Sequence, residues 1–115
     1  MLTGAQMEAK SKTVTRRLNW LHAKPGMEVL AVSQCQGLKA GQKAKVYGVI
    51  RFTDVRRESL LKLRGIYGIT EAGKEGFPQF TGVDFIKMFC RHMKVTPDTA
   101  VTRIEFEYLA QKVEP

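Results

Sequence analysis

The order of hydrophobic patterns along this chain predicts an α+β fold, a small and mostly antiparallel curled sheet or barrel with about three helices packed outside it. Some stretches rich in β-branched residues alternate apolar and polar positions, whereas others repeat apolar residues at helical spacing. These elements follow no strict βαβ alternation, which argues against a parallel sheet. The 115 residues, 43% of them hydrophobic, suffice for one core, so residues 1–115 are expected to form a single domain.

The first half of the chain contains one predicted helix and three predicted strands. Residues 3–10 include good helix formers, and residues 13–18, TVTRRL, have the β-branched content of a strand. After a Pro-Gly turn, residues 28–35 alternate as a second strand. A glycine-containing loop then leads to residues 44–55, AKVYGVIRFTDV, which predict a long strand with a bulge or bend at Gly48.

The second half is predicted to contain two helices separated by a long loop, and then a last strand. Asp54 is placed to cap a helix over residues 56–64, RRESLLKLR. Residues 65–80 contain four glycines and a proline without a sustained period, which predicts a loop of functional interest. A capping box then begins a helix over residues 81–93 that carries an apolar stripe. Residues 101–109, VTRIEFEYL, alternate as a closing strand whose charged side chains face solvent.

The composition is strongly basic, with a formal net charge of +8 and a pI near 9.8. Such an excess of cations makes a polyanion a natural partner, because the counterions released on binding favour the complex. RNA, DNA or a nucleotide is therefore the predicted class of ligand. The same charge is also compatible with a basic surface that serves only solubility.

Cysteine usage and the hydrophobic pattern exclude several other classes. Cys35 and Cys90 form no CxxC pair, so neither a disulfide framework nor a metal site is predicted, and no cofactor is expected. Cys90 and His92 lie at i and i+2 of a predicted helix, where side chains point in different directions. No apolar run approaches the roughly 18 residues that span a bilayer, and no secretory signal is present. We therefore expect a cytoplasmic protein without a membrane partner.

Residues 11–17, SKTVTRR, gather a lysine, hydroxyls and two guanidiniums. In a regular strand Thr15 and Arg17 share one face and Lys12 falls on the other, because side chains alternate. The groups converge only if Lys12 lies in the turn before the strand, where its long stem can reach the Thr15 face. Lys12 could then act as a general base for the Thr15 hydroxyl. Alternatively the cations bind phosphate, or the stretch is simply a solvated basic strand.

The catalytic use also requires a carboxylate, and Glu75 is the preferred candidate. Glu105 and Glu107 alternate outward from the last predicted strand, and Glu58 lies on a predicted helix among arginines. Glu71 and Glu75 lie in the glycine-rich stretch, where an irregular backbone can aim a side chain. The alternative for Glu75 is an exposed loop glutamate without a role.

These features resemble the ASCH domain family, a relative of the PUA domain. The family signature GxKxxExR can be laid on residues 10–17, KSKTVTRR, followed by a PG turn at residues 25–26 and an EGF sequence at residues 75–77. The order of features agrees over roughly the whole chain. Lys10 stands where the signature has glycine, and Thr15 stands where many members have glutamate.

The departure at Thr15 is similar to a small branch of the family with KTxT in the signature, whose members hydrolyse the acetamide of N4-acetylcytidine. The resemblance to this branch implies Lys12 as base, Thr15 as nucleophile and Glu75 as carboxylate. Related ASCH proteins look like ribonucleases or RNA binders. A non-catalytic RNA-binding module and a metal-independent ribonuclease therefore stand as alternatives to an amidohydrolase.

The resemblance also implies a PUA-like β-barrel with external helices, in which the motif lines a basic cleft. We expect a monomer that binds RNA or a nucleoside there. The residues expected to hold this ligand are Arg16, Arg17, Arg56, Arg57 and Phe77. Of these, Arg56 and Arg57 are placed on the predicted helix over residues 56–64, and Phe77 is placed to stack on a base.

Overall fold

In the part of the chain that the structure describes, four antiparallel strands form one sheet in the order β1-β4-β3-β2, and two α-helices pack against it. The structure is a computed structural model that describes residues 7, 10–32 and 46–109. Its elements are β1 (Val14–Arg17), β2 (Glu28–Val32), β3 (Val46–Ser59), a 3₁₀ helix (Leu60–Leu63), α1 (Ile66–Lys74), α2 (Gly82–Met93) and β4 (Ala100–Tyr108). The α+β prediction is confirmed at this level. Apart from Met7 and Lys10, the predicted first helix lies outside the described residues, as does the loop between the second and third strands.

The third strand is longer than predicted, and the helix predicted over residues 56–64 is wrong. β3 continues through Arg56 and Arg57 to Ser59 and pairs with β4 over this stretch. The partner strand supplies a cross-strand neighbour for each of these residues, which outweighs the local helix signal. A 3₁₀ turn follows, capped by the Ser59 hydroxyl. Asp54 therefore lies inside the strand and caps nothing.

The loop predicted over residues 65–80 is also wrong, because it contains α1. Close packing explains Gly68, because a Cβ there would lie 1.6 Å from the carbonyl oxygen of Leu63 and 2.7 Å from the Cα of Gly82. A Cβ on Gly82, the first residue of α2, would lie 1.7 Å from the same oxygen. The helices therefore meet where only glycine fits. The hydrophobic period of the sequence does not reveal α1, because glycine has no apolar side chain that would mark the buried face of a helix.

The second α-helix begins as predicted, at a capping box. The amide of Asp84 donates to the Thr81 hydroxyl at 3.1 Å, and the amide of Thr81 donates to the Asp84 carboxylate at 3.0 Å. Phe85, Ile86 and Phe89 are buried, as the apolar stripe predicts. No helix in the described ranges is long and apolar enough to cross a membrane.

The two faces of the sheet are covered by different parts of the chain. Paired residues on neighbouring strands point to the same face, so the register assigns each strand residue to one of the two. The helix-covered face packs against α1 and α2 through the core cluster Leu60, Leu63, Ala72, Phe85, Ile86, Phe89 and Val101. What we call the opposite face carries a second cluster, Ala23, Ala31, Ile50, Phe52, Ile104 and Phe106.

The charged side of β4 departs from the prediction of a solvated face. Arg103 is only 2% exposed, because it lies on the helix-covered face beneath α1. Glu105 is half-buried, and Glu107 is exposed as predicted. The alternation of β4 was therefore recognised correctly, but one of its charged residues belongs to the interior.

Two irregularities bend the sheet. The pairing of β2 with β3 shifts register between Ala31 and Val32, opposite Gly48, whose φ is 132°. The bulge predicted at Gly48 is thus confirmed. A second shift occurs in the pairing of β3 with β4, between Phe52 and Asp54. Bulges of this kind increase the local twist and curvature of a strand.

Candidate functional site

Lys12 and Glu75 meet in the interior of the domain. The Nζ of Lys12 donates to Oε1 of Glu75 at 2.9 Å and to its carbonyl oxygen at 3.4 Å, across 63 residues of sequence. Lys12 is 4% exposed and Glu75 is fully buried. The backbone fixes this contact, because the amide of Thr13 donates to the carbonyl oxygen of Lys74 at 2.7 Å. The ion pair therefore lies where the start of β1 passes the end of α1.

The turn before β1 depends on the backbone of Lys10. Its φ is 55°, in the left-handed region that glycine adopts readily, and its amide donates to the carbonyl of Met7 at 3.1 Å. For a lysine this conformation costs roughly 1–2 kcal/mol. Lys10 thus adopts a conformation suited to the glycine of the ASCH signature, and Lys12 still reaches the helix-covered face.

The end of α1 directs two carboxylates at the sheet. Glu71 and Glu75 are four residues apart and lie on the buried face of the helix, together with Gly68 and Ala72. Gly76, with a φ of 99°, ends the helix immediately after Glu75. The carboxylates that were expected on an irregular loop are therefore held by a helix and its C-terminal cap.

Three arginines lie side by side across the sheet beneath these carboxylates. Arg103 of β4 is paired with Arg16 of β1 on one side and with Arg56 of β3 on the other. Like charges directly opposite one another destabilise a sheet, so this row requires anions nearby. Arg16 donates to Oε2 of Glu75 at 3.0 Å and to Oε2 of Glu58 at 2.9 Å. Arg16 thus links the Lys12–Glu75 pair to the rest of the charged groups.

Glu71 binds two of these arginines at once. Arg103 donates to its two oxygens at 2.5 and 3.1 Å, and Arg16 donates to Oε1 at 2.5 Å. Burial disfavours the ionised carboxylate, but the hydrogen bonds from Arg103 and Arg16 outweigh it and lower the pKa of Glu71 from 4.5 to about 2. Glu71 is therefore an anion at neutral pH and neutralises the centre of the arginine row.

The network reaches its more exposed rim at Tyr67. The Tyr67 hydroxyl donates to Glu58 at 3.0 Å and accepts from Arg56 at 2.8 Å. Burial and the negative charges of Glu58 and Glu71 raise the pKa of Tyr67, although the hydrogen bond from Arg56 opposes them. Burial opposes ionisation of Glu58, yet the hydrogen bond from Arg16 holds the pKa of Glu58 below its usual value. The rim thus combines a protonated phenol, a carboxylate and a guanidinium.

Thr15 does not join Lys12 and Glu75. It pairs with Ile104, a core residue of the opposite face. Lys12 and Arg16 both bind Glu75 on the helix-covered face. Because side chains alternate along a strand, the Thr15 hydroxyl points away from this centre. The expected convergence of Lys12 and Thr15 is therefore not observed, and the motif is divided between the two faces.

The arginines expected to bind a ligand lie in three environments. Arg16 is 1% exposed and is occupied by carboxylates of the protein itself. Arg17 and Arg57 are exposed on the opposite face, where both pair with Thr102 and Arg57 donates to its hydroxyl at 2.8 Å. Arg56 lies at the rim of the helix-covered face. The placement of Arg56 and Arg57 on one helix is thus wrong, because they are strand neighbours that point to opposite sides.

Phe77 lies in a row of aromatic rings between the two helices. It stacks on Phe80, with ring centroids 5.0 Å apart and planes 16° apart, and it is tilted against Phe85 at 6.2 Å. These contacts attach the segment between α1 and α2 to the core. Phe77 and Phe80 are both half-buried and both pack against the core cluster of the helix-covered face.

Sequence reasoning missed four members of the charged network, Glu58, Glu71, Tyr67 and Arg103. Glu58 and Glu71 were assigned to the wrong elements, and Arg103 was assigned to solvent. One signal was present: Arg103, like Arg16, shares its strand face with a buried valine two residues earlier. A second was the spacing of Glu71 and Glu75, which matches one face of a helix.

The carboxylates of the network are engaged by cations and are not arranged for a metal ion. Among the described residues, no group of three or more His, Cys, Asp or Glu side chains could hold a metal. Burial, together with the charge of Asp98, raises the pKa of the Cys90 thiol, which disfavours a thiolate ligand. Cys35 lies outside the described residues.

Comparisons of the chain with models of protein families, with curated proteins and with solved structures found no match. The function is therefore argued from the chemistry of the site.

Proposed function

We propose that this chain is an ASCH-like domain, related to the PUA domain, that binds a nucleoside or a nucleotide of RNA at the Lys12–Glu75 centre. The observation that carries the proposal is the buried contact between Lys12 and Glu75 at 2.9 Å. The resemblance assigns roles to both residues although they are far apart in sequence. Their contact supports the resemblance independently of the sequence pattern.

The centre has donors to offer a ligand. An ammonium has three N–H groups, and among residues 7, 10–32 and 46–109 the two hydrogen bonds of Lys12 go to the same residue, Glu75. Within the described part of the chain, the Nε of Arg16 is a buried donor without a hydrogen-bond partner. Unmet buried donors are rare and call for an explanation, such as a bound water or ligand oxygen. The carbonyl and phosphate oxygens of a nucleotide are suitable acceptors.

The charge distribution supports a nucleic acid as the source of that nucleotide. The buried network contains three cations, Lys12, Arg16 and Arg103, and three anions, Glu58, Glu71 and Glu75. Its charges cancel, so the net charge of +8 belongs to the remainder of the chain. A basic exterior around a neutralised interior attracts a polyanion without leaving unpaired charges in the core.

The proposal includes the PUA-like barrel that the resemblance implies. The described strands form a sheet with β1 and β2 at its edges. The register shifts at Gly48 and beside Asp54 support a strongly curved sheet, because bulges are a common means of closing barrels.

The second candidate is an amidohydrolase of N4-acetylcytidine type that works without Thr15, and the Lys12–Glu75 contact favours it. Water adds to the acetyl carbon while Glu75 accepts its proton, and Lys12 turns to donate to the oxygen that becomes negative. The C–N bond then breaks, Glu75 returns the proton to the departing cytidine amine, and acetate is released. Water attacks directly in this scheme because the Thr15 hydroxyl points to the opposite face and cannot serve as the nucleophile.

Calorimetric titration of the full chain with N4-acetylcytidine, cytidine and a short single-stranded RNA tests the binding proposal. Lys12→Met removes the ammonium but leaves Glu75 paired with Arg16, and we expect affinity to fall by about 10- to 100-fold, as for the loss of a charge-assisted hydrogen bond. Thr15→Val, on the same strand but the other face, is the matched control and should bind within about 2-fold of wild type. Unchanged affinity in a folded Lys12→Met protein would contradict the proposal.

Acetate release from N4-acetylcytidine separates catalysis from binding. We expect Glu75→Gln to lower turnover by at least about 100-fold and Thr15→Val to retain it. Binding without acetate release by the wild type would eliminate the hydrolase and leave the binding module. Loss of turnover in a folded Thr15→Val protein would instead restore the threonine nucleophile that the resemblance implies.

A further inference from the structure

The outer surface of α2 carries a groove of about 420 Å³, a volume within the usual range of small-ligand sites. It is lined by Phe80, Asp84, Lys87, Met88, Arg91 and His92. The five helical residues follow the i, i+3, i+4, i+7, i+8 spacing of one helix face. The core residues Phe85, Ile86 and Phe89 occupy the other face. The body of α2 therefore separates this groove from the Lys12–Glu75 centre.

An aromatic row leads from the core to this groove. The fully buried Phe85 is tilted against Phe77, and Phe77 stacks on Phe80 with the two planes only 16° apart. Phe80 is half-buried and forms part of the groove wall. A flat ring bound beside Phe80 and Met88 would meet an aromatic surface that is already held rigidly from behind.

The groove is also positively charged. Lys87 and Arg91 are four residues apart on the helix, and both are exposed, as is His92. The one acid of the groove, Asp84, is bound to the amide of Thr81 at 3.0 Å as a helix cap. The backbone and hydroxyl hydrogen bonds of Thr81, and to a smaller extent the charge of Lys87, lower the pKa of Asp84, so Asp84 is an anion that caps the helix and partly offsets the charge of Lys87. Two strong cations thus stand next to an aromatic wall.

We propose that this groove binds one nucleotide of a single-stranded nucleic acid, with the base against Phe80 and Met88 and the phosphate between Lys87 and Arg91. Stacking requires an unpaired base, which selects single strands over duplexes. Cations next to an aromatic ring match the two parts of a nucleotide, and the charge of +8 on the whole chain matches its polyanionic strand. The site extends the binding surface beyond the Lys12–Glu75 centre and does not depend on it.

Fluorescence anisotropy with labelled oligouridylate and the matching oligodeoxyuridylate tests this site in the full chain. Phe80→Leu keeps an apolar side chain but removes the ring, and we expect affinity to fall roughly 5- to 150-fold, as for the loss of base stacking. The double variant K87E/R91E changes only exposed positions, so its folding should be unaffected. It should bind more weakly and flatten the slope of log affinity against log salt by about 0.7–1.4, as for one or two lost phosphate contacts.

The control is K24E/R64E, which makes the same change in net charge at exposed positions outside the groove. It should leave the salt slope nearly unchanged. A response equal to that of K87E/R91E would mean that only the net charge of the protein affects binding, and it would overturn the proposal.

Crosslinking of 4-thiouridine RNA should label Phe80 or Met88, and labels confined to other regions would also overturn it. Equal binding of polyglutamate, with RNA affinity unaffected by Phe80→Leu, would assign the groove to acidic peptides instead. Comparable affinity for the two oligomers would mean that the groove contacts only the base and the phosphate. A strong preference for RNA would mean that it also contacts the 2′-hydroxyl.

The outcome is distinguishable from that of the proposed function. If the groove variants bind RNA as wild type does while Lys12→Met binds more weakly, the groove proposal is rejected and the proposed function is supported. The reverse pattern rejects binding at the Lys12–Glu75 centre and supports the groove.

Discussion

The two faces of the central sheet are built by the same strands but are stabilised in different ways. On the opposite face Ile104, Phe106 and Phe52 form an apolar cluster. On the helix-covered face Arg103, the sequence neighbour of Ile104, and its register partner Arg16 are buried among carboxylates. One period-2 pattern therefore supplies an apolar face on one side and, on the other, an ionic network that lies beside the apolar core formed with the helices.

The two faces should tolerate different kinds of substitution. Apolar packing is non-directional and scales with buried area, at about 25 cal/mol per Å², so similar side chains can replace one another. A buried ionic network is stable only when every charge is matched, because an unpaired charge in the interior is costly. We therefore expect graded responses on the opposite face and abrupt responses on the helix-covered face.

The largest effect is expected for Glu71→Gln, which nearly preserves shape but removes the anion that binds both Arg16 and Arg103. Removing one partner from a buried ionic cluster costs about 3–5 kcal/mol. Urea denaturation followed by circular dichroism measures the change in the free energy of unfolding.

Glu107→Gln is the matched control for this experiment, because it removes a carboxylate from the exposed pair with Arg51 on the same sheet. Exposed pairs contribute at most about 1 kcal/mol. If both glutamine variants lower the free energy of unfolding by the same small amount, burial of the network contributes no extra stability and the expected difference between the two faces is wrong.

An intermediate effect is expected when acid protonates Glu71. Its pKa is about 2 in the folded protein and near 4.5 when exposed, so the folded state binds fewer protons. This stabilisation is present above about pH 4.5 and is lost as the pH falls toward about 2.

The free energy of unfolding should therefore decrease over that range. In Glu71→Gln the decrease should be smaller but not absent, because Arg16 also lowers the pKa of Glu58. An identical pH profile in wild type and variant would mean that Glu71 does not titrate as its hydrogen bonds indicate.

The smallest effect is expected for Ile104→Val on the opposite face, which removes one buried methylene group. Such a change costs about 0.5–1.5 kcal/mol, because the surrounding side chains relax only partly into the space. The same urea experiment measures it. A loss as large as that of Glu71→Gln would show that the apolar face is no more tolerant than the ionic one.

Local signals account for the elements that the sequence predicted correctly. The capping box of Thr81 and Asp84 depends on residues three apart, and the bulge at Gly48 depends on one glycine in a strand pattern. The errors arose where distant parts of the chain decide. Residues 56–59 extend a strand because β4 pairs with them, and Gly68 belongs to a helix because it packs against Gly82.

The candidate site divides in the same way. Lys12 and Glu75 were both selected from the sequence, Lys12 from the basic motif of residues 11–17 and Glu75 from the glycine-rich stretch of residues 65–80, and the resemblance implied a role for each. Alternation alone places Thr15 on the face opposite Lys12, as observed, and the error lay in expecting the turn before β1 to bring the two side chains together. Arg103 and Glu71 were missed for another reason, because a charged residue in an alternating strand ordinarily faces water.

Neighbouring residues and composition are enough to predict the α+β class, the start of α2, the alternation of β1 and β4 and the excess of positive charge. The burial of Arg16 and Arg103, and the contact between Lys12 and Glu75, depend on how distant parts of the chain pack together. A buried charge is stable only if an opposite charge arrives from elsewhere in the chain, and here Glu71 and Glu75 arrive on a helix that follows β1 by about 50 residues.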